Sequence, residues 1–146
     1  MLFKNILVPV DGSPASLQAV ASAVSLAKAY DGTVTAIYVI DPYPFTGVGT
    51  DFAYGQTQYL SAARAEASAA LAAAREAMEA VDIKVTGSLV ESHSTWRGIL
   101  EAAETGGVDL IVMGSHGRSG IEKMVLGSVA QRVVSHASVA VMVVRG

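Results

Sequence analysis

Cysteine is absent from the 146 residues, so neither a disulfide nor a Cys-bound zinc can hold this chain together. Charge is scarce as well, at 16% of residues, and the formal net charge is -3. A chain of that balance lacks the basic face that displaces counterions from a phosphate backbone, so nucleic acid is not an expected partner. Long apolar runs are missing too. The run Ile6-Leu7-Val8-Pro9-Val10 stops at Asp11-Gly12, too short for the core of a signal peptide. Nothing approaches the roughly 18 consecutive apolar residues of a membrane span. No His, Asp and Glu set has the spacing of an all-protein metal site. The expectation is a soluble, cytoplasmic protein without membrane insertion.

What is present is apolar material cut into short pieces. Hydrophobic residues make up 51% of the chain, enough for one good-sized core in one domain spanning residues 1–146. Val/Ile-rich runs at Leu2–Val10, Val34–Ile40, Lys84–Glu91, Leu110–Met113 and Val139–Val144 read as strands. Most lack polar alternation, as strands covered on both faces do. Between the first two, Leu17, Val20, Ala21, Val24 and Ala27 form a stripe at helical spacing, with Ser13 as N-cap and Pro14 as first helical residue. The Ala-rich segment Gln56–Val81 reads as a long covering helix that turns Arg64, Glu66, Arg75 and Glu76 to solvent. Thr95–Glu104 is a third helix, ended by Gly106-Gly107, and Gly127–His136 a fourth. The alternation predicts an α/β fold: an open, doubly wound parallel sheet of five strands with helices on both faces. The one long irregular stretch, Asp41–Ala53, reads equally as a lid or as a packed crossover loop.

The chemistry sits after the fourth strand, in Gly114-Ser115-His116-Gly117-Arg118-Ser119-Gly120, and continues to Gly127-Ser128. Glycines after a strand let backbone N–H groups approach phosphate oxygens without interference from Cβ. A helix that opens at Gly127-Ser128 points free N–H groups and the positive end of its dipole at an anion. Ser128 adds a hydroxyl, and either Arg118 or Lys123 can neutralise phosphate charge. The P-loop pattern G-x-x-x-x-G-K-[ST] is absent, and Asp11-Gly12-Ser13 stands where a dinucleotide fold would carry G-x-G-x-x-G. Asp11, Ser13 and His116 suggest a nucleophilic triad by residue type alone, since no strand–Ser–helix elbow is present. His93 and His136 read as solvated or capping residues, and Trp96 as a packing residue.

Gly114-x-x-Gly117, nine residues, then Gly127-Ser128 resembles the G-x2-G-x9-G-[ST] signature of the ATP-binding branch of the universal stress protein family. The resemblance extends to ILVPVDGS, YVID, VDLIVMGSHGRSG, LGSVAQRVV and VAVMVV, nearly the whole chain. It departs at Ser92-His93-Ser94-Thr95, where family members often carry Gly-x-Pro. The resemblance implies strand order 3-2-1-4-5, which sets Pro9-Val10-Asp11 opposite Gly114–Gly120. Asp11 is then placed to accept ribose hydroxyls, or serves as a turn residue before the first helix. The backbone of Val39 is implied to read the adenine edge. Asp41 closes the ribose side or only caps the second strand. Gly114, Ser115, His116, Gly117, Arg118, Gly120, Gly127, Ser128 and Val129 are implied to hold the phosphates, with the backbone of His116 mattering more than its ring. Mg²⁺ would ride on the phosphates and keep its waters.

The function classes are an ATP-loaded, dimeric stress-response sensor read by a protein partner, a slow ATPase or phosphotransferase, and a structural dimer without nucleotide. The dimer is expected through the last strand, Val139, Val141 and Val143, on two grounds: an exposed sheet edge is a liability for a monomer, and the resemblance implies the same interface.

Overall fold

Ile6, Leu7 and Val8 are buried to 1% exposure or less, and they form the middle of the central strand β1 (Asn5–Pro9). A computed structural model describes residues 3–41, 50–79, 83–116 and 126–145. After β1 come α1 (Pro14–Tyr30), β2 (Thr33–Ile40), α2 (Thr50–Glu79), β3 (Val85–Glu91), α3 (Thr95–Thr105), β4 (Leu110–Gly114), α4 (Ser128–His136) and β5 (Ala140–Val144). The five strands make a parallel sheet in the order β3-β2-β1-β4-β5, as the resemblance implied.

Alternating residues of β1 serve two cores. Ile6 and Val8 join Val20, Val24, Val34 and Ala74 under α1 and α2. Leu7 joins Ile37, Ile99, Ile111 and Val133 under α3 and α4. This two-sided burial explains why the strands read as continuous apolar runs. The outer strand β3 is the exception, with Thr86, Ser88, Leu89 and Glu91 exposed.

Several element ends and one helix face differ from the sequence reading. β1 starts at Asn5 because the N–H groups of Lys4 and Asn5 donate to the Asp109 carboxylate, at 3.0 and 3.2 Å. The buried face of α1 is Ser16, Ala19, Val20, Ala23, Val24 and Ala27, while Leu17 is 38% exposed and Ala21 faces solvent. Small residues on that face let the helix lie close to the sheet, so the wider Leu17 is turned outward. α2 begins at Thr50, six residues ahead of the expected Gln56, and takes the last part of the stretch read as irregular. Residues 42–49 lie outside the described residues, and with them the lid and crossover readings. β4 runs one residue further than expected, to Gly114, where its partner Val144 closes the register with β5.

Ser13 caps α1 as anticipated: its hydroxyl accepts from the N–H of Ser16 at 3.2 Å, and Pro14 opens the helix. Ser13→Ala removes that acceptor in a buried turn and should lower stability by about 1 kcal/mol. Urea unfolding of the two proteins at equal m-value measures it.

Candidate nucleotide site

β1 and β4 are hydrogen-bonded neighbours, with Ile6 opposite Leu110 and Leu7 opposite Ile111. Beyond their carboxyl ends the chain goes opposite ways, to α1 on one face of the sheet and to α4 on the other. Such a divergence opens a crevice at the strand ends, the place where open parallel sheets take ligands.

On the β1 side, Val10 is buried and its N–H donates to Ile37 O at 2.8 Å, which holds Pro9 and Val10 against β2. Asp11 uses its Oδ1 to accept the N–H of Ser13 at 2.9 Å, and Gly12 follows with φ of +84°. This is the turn role weighed for Asp11, and only Gly relaxes fully in the left-handed backbone it requires.

On the β4 side, Gly114 meets the first turn of α1. A β-carbon there would lie 3.2 Å from the Ala15 Cβ and 3.3 Å from its carbonyl carbon and oxygen. Ser115 is buried, with its N–H on Val144 O at 2.9 Å and its carbonyl accepting from Gly127 N–H at 2.6 Å. Its hydroxyl lies 3.1 Å from His116 Nδ1, and His116 Nε2 is buried with no partner among the described residues. Gly117, Arg118 and Gly120, together with Glu122 and Lys123, lie outside the described residues.

Gly127 is the N-cap of α4 and has no side chain to satisfy the helix. The first intrahelical bond is donated by Gln131 to Gly127 O, at 3.0 Å. The N–H groups of Ser128, Val129 and Ala130 therefore have no acceptor within the helix. No acidic residue stands in that first turn. The arrangement can accept an anion at the N-terminus of α4, beside the Ser115-His116 backbone.

Val39 sits near the end of β2, opposite Val90 of β3, and packs partly buried under α3. A β-carbon at Gly98 would lie 3.1 Å from its Cγ1, so α3 touches Val39 through a glycine. The side chain packs, as expected, and leaves its backbone at the strand end. Three features were not legible. His93 Nδ1 lies 2.9 Å from Asp41 Oδ1, which joins the chain beyond β2 to the chain beyond β3. The register of Ile40 against Glu91 brings those two exits together, and a pairing between these strands was the signal for it. Trp96 packs against His136 at 4.6 Å between ring centroids, so His136 is a stacking partner as well as a group at a helix end. Arg97 and Arg132 both lie over the Trp96 ring, at 5.0 and 5.8 Å from its centroid.

The fold defines a class, the open five-stranded parallel α/β domain whose strand order reverses between β1 and β4. The chain belongs to the universal stress protein family, whose description it matches over residues 2–145. It is 38% identical over 144 residues to universal stress protein MJ0531 of Methanocaldococcus jannaschii, across 99% of this chain and 83% of that protein. Among solved structures it is similar to universal stress protein UspA from Lactobacillus plantarum, with a TM-score of 0.88 and 27% identity over 99% of both chains. A universal stress protein solved in complex with cAMP shares the fold at a TM-score of 0.74 and 23% identity, over 99% of this chain and 98% of that one.

Gly114→Ala drives a β-carbon onto backbone atoms that cannot swing away, and should destabilise the fold by about 1–3 kcal/mol. Gly55, inside α2, has nothing within 4 Å of the same position. Gly55→Ala should instead stabilise by about 0.5–1 kcal/mol. Denaturant midpoints of opposite sign for the pair check the contact at Gly114.

Proposed function

We propose that residues 1–146 act as one domain that binds ATP at the β1–β4 crevice and serves as a dimeric, nucleotide-dependent sensor or regulator in the stress response. The observation that carries this reading is the docking of the uncapped α4 N-terminus on the Ser115 carbonyl through Gly127, 2.6 Å away. It leaves the backbone donors at the start of α4 without an acceptor in the helix, and His116 Nε2 is buried with no partner among the described residues.

In this reading Pro9, Val10 and Asp11 meet the ribose, and the backbone of Val39 meets the adenine edge. Gly114, Ser115, His116, Gly117, Arg118 and Gly120 hold the phosphates with Gly127, Ser128 and Val129. Mg²⁺ would be carried on the phosphates, with waters completing its shell. The site has no need of a basic surface, because backbone N–H groups carry much of the recognition. A protein partner reads the loaded state.

Gly127→Val tests the site. A β-carbon there would lie 3.2 Å from Ser115 O, so the variant disturbs the docking of α4 as well as the approach of phosphate. ATP affinity should fall about tenfold or more, equivalent to about 1.4 kcal/mol. Calorimetry on variant protein with an unchanged far-UV spectrum reads the loss, and mass spectrometry of nucleotide released from freshly purified protein identifies the resting ligand. Unaltered ATP affinity would remove the site from this loop.

Hydrolysis should be slow. Phosphoryl transfer needs charge stabilisation, in-line positioning and a poised nucleophile together. Gln131, near the start of α4, gives its amide N–H to Leu126 O at 3.3 Å, which ties its side chain to the residue before Gly127. Binding that favours ground and transition states alike gives affinity without rate. Turnover should lie well below the roughly 1 s⁻¹ lower end of ordinary enzymes. Steady-state phosphate release measures it, and motif-dependent turnover at or above that value overturns the sensor reading and makes the protein an enzyme.

The dimer is proposed through Val139, Val141 and Val143. β5 is an outer strand of the sheet, and Met142 on it is 37% exposed. Pairing with a second copy covers this edge. Val141→Pro or Val143→Pro removes an edge donor and should shift light scattering from dimer to monomer. A wild-type monomer at micromolar concentration would exclude the interface.

A further inference from the structure

Arg97 and Arg132 face one another across an open cleft between α3 and α4, of about 350 Å³, lined by Ser94, Trp96, Arg97, Ser128, Val129 and Arg132. That volume falls in the lower range of ligand-binding clefts, about 300–1,000 Å³. Among the described residues no carboxylate lines it, and neither helix has an acidic residue in its first turn. The ion pairs among the described residues are Arg64–Glu91 and His93–Asp41, so neither guanidinium of the cleft has a carboxylate partner there. In a chain with 13 acidic and 10 basic residues, two cations brought to one aromatic ring without an acid are an unbalanced pair. Stacking on Trp96 engages the faces of the guanidiniums and leaves their N–H edges available. Those edges match a phosphate bidentately. The Ser94 side chain makes no cap bond to α3, so its hydroxyl and that of Ser128 supply two more donors.

We propose that this cleft binds a phosphate group, held by Arg97 and Arg132 and backed by the Ser94 and Ser128 hydroxyls. Ser128 and Val129 belong both to the cleft and to the residues assigned to ATP. The inference rests in that respect on the proposed nucleotide site: the group is the terminal phosphate of a bound triphosphate, and the arginine pair makes the domain prefer ATP over AMP. The same chemistry suits a free phosphate or pyrophosphate, and the experiment separates the two sources.

The variants are Arg97→Gln, Arg132→Gln and the double substitution, all at exposed positions outside the glycine loop. In the first arm, calorimetry measures ATP and AMP affinity. Loss of a terminal-phosphate contact should weaken ATP about tenfold and AMP less than about twofold in the double variant. In the second arm, pyrophosphate alone is titrated against the fluorescence of Trp96, the one tryptophan of the chain. A saturable response that persists in Gly127→Val and vanishes in the double arginine variant supports the free-anion source. An unchanged ATP-to-AMP preference in the double variant, together with no arginine-dependent response to pyrophosphate, overturns the proposal. If wild-type protein binds neither nucleotide, the ATP reading falls and the pyrophosphate arm still decides the cleft.

Discussion

The N–H of Gly127 donates to the carbonyl of Ser115, and much of the site depends on that one bond. Ser115 also donates its own N–H to Val144, so a single buried residue ties β4 to β5 and to the start of α4. The chain between residues 116 and 127 therefore leaves and returns at a fixed point. A side chain at Gly127 would act on both ends of this arrangement, because a β-carbon there meets Ser115 O at 3.2 Å and His116 Cα at 3.5 Å. The glycine is required by the approach of backbone to backbone, before any ligand is considered.

A second constraint acts from the opposite face. Gly114 gives the end of β4 its contact with Ala15, and α1 packs on the sheet through serine, alanine and valine. Close packing of α1 is what leaves Ser13, Gly12 and Asp11 in a tight turn beside the crevice, with the Asp11 carboxylate bonded to the Ser13 N–H. On the other face, larger residues such as Ile99, Leu100, Val129 and Val133 join α3 and α4 to the sheet. One side of the strand ends thus carries the tight turn before α1, and the other the starts of α3 and α4.

Element types and sheet class were legible because they rest on period and punctuation. The Ser13-Pro14 start and the Gly106-Gly107 stop gave local signals that tertiary packing did not override. Strand order was not in the periodicity and came from the resemblance. Register of the apolar face was harder: Leu17 fits a helical stripe as well as Ser16 does, and only the approach of Ala15 to Gly114 decides which is buried. The early start of α2 at Thr50 was hidden by Gly55, since a glycine inside a helix looks the same in sequence as one that breaks it. At the site, Gly114, Gly127 and Ser128 were legible as motif positions. The Asp41–His93 pair was not, because its partners are 52 residues apart and meet only once β2 and β3 are paired. The same holds for Arg97 and Arg132, which sit on different helices and share a ring only after α3 and α4 pack.

An acidic chain with a proposed anion site poses an electrostatic question, and the placement of charge answers it. At physiological salt, exposed charges more than about 8 Å away are largely screened. The net charge of -3 therefore says little about the potential at the α4 N-terminus. What matters is the set of groups that would touch the anion, and there the described residues offer backbone N–H groups and two guanidiniums, with no carboxylate among those residues beside them. Elsewhere Arg64 and His93 stand beside Glu91 and Asp41. Backbone donors are neutral, so they crowd a site without repelling one another, and they cannot follow a polyanion along an extended surface. In the proposed reading such a site takes a compact phosphate held in a crevice, whereas affinity for nucleic acid depends on many spaced cations. A low charge content is no obstacle to the proposed site, because its donors are backbone N–H groups rather than a basic surface.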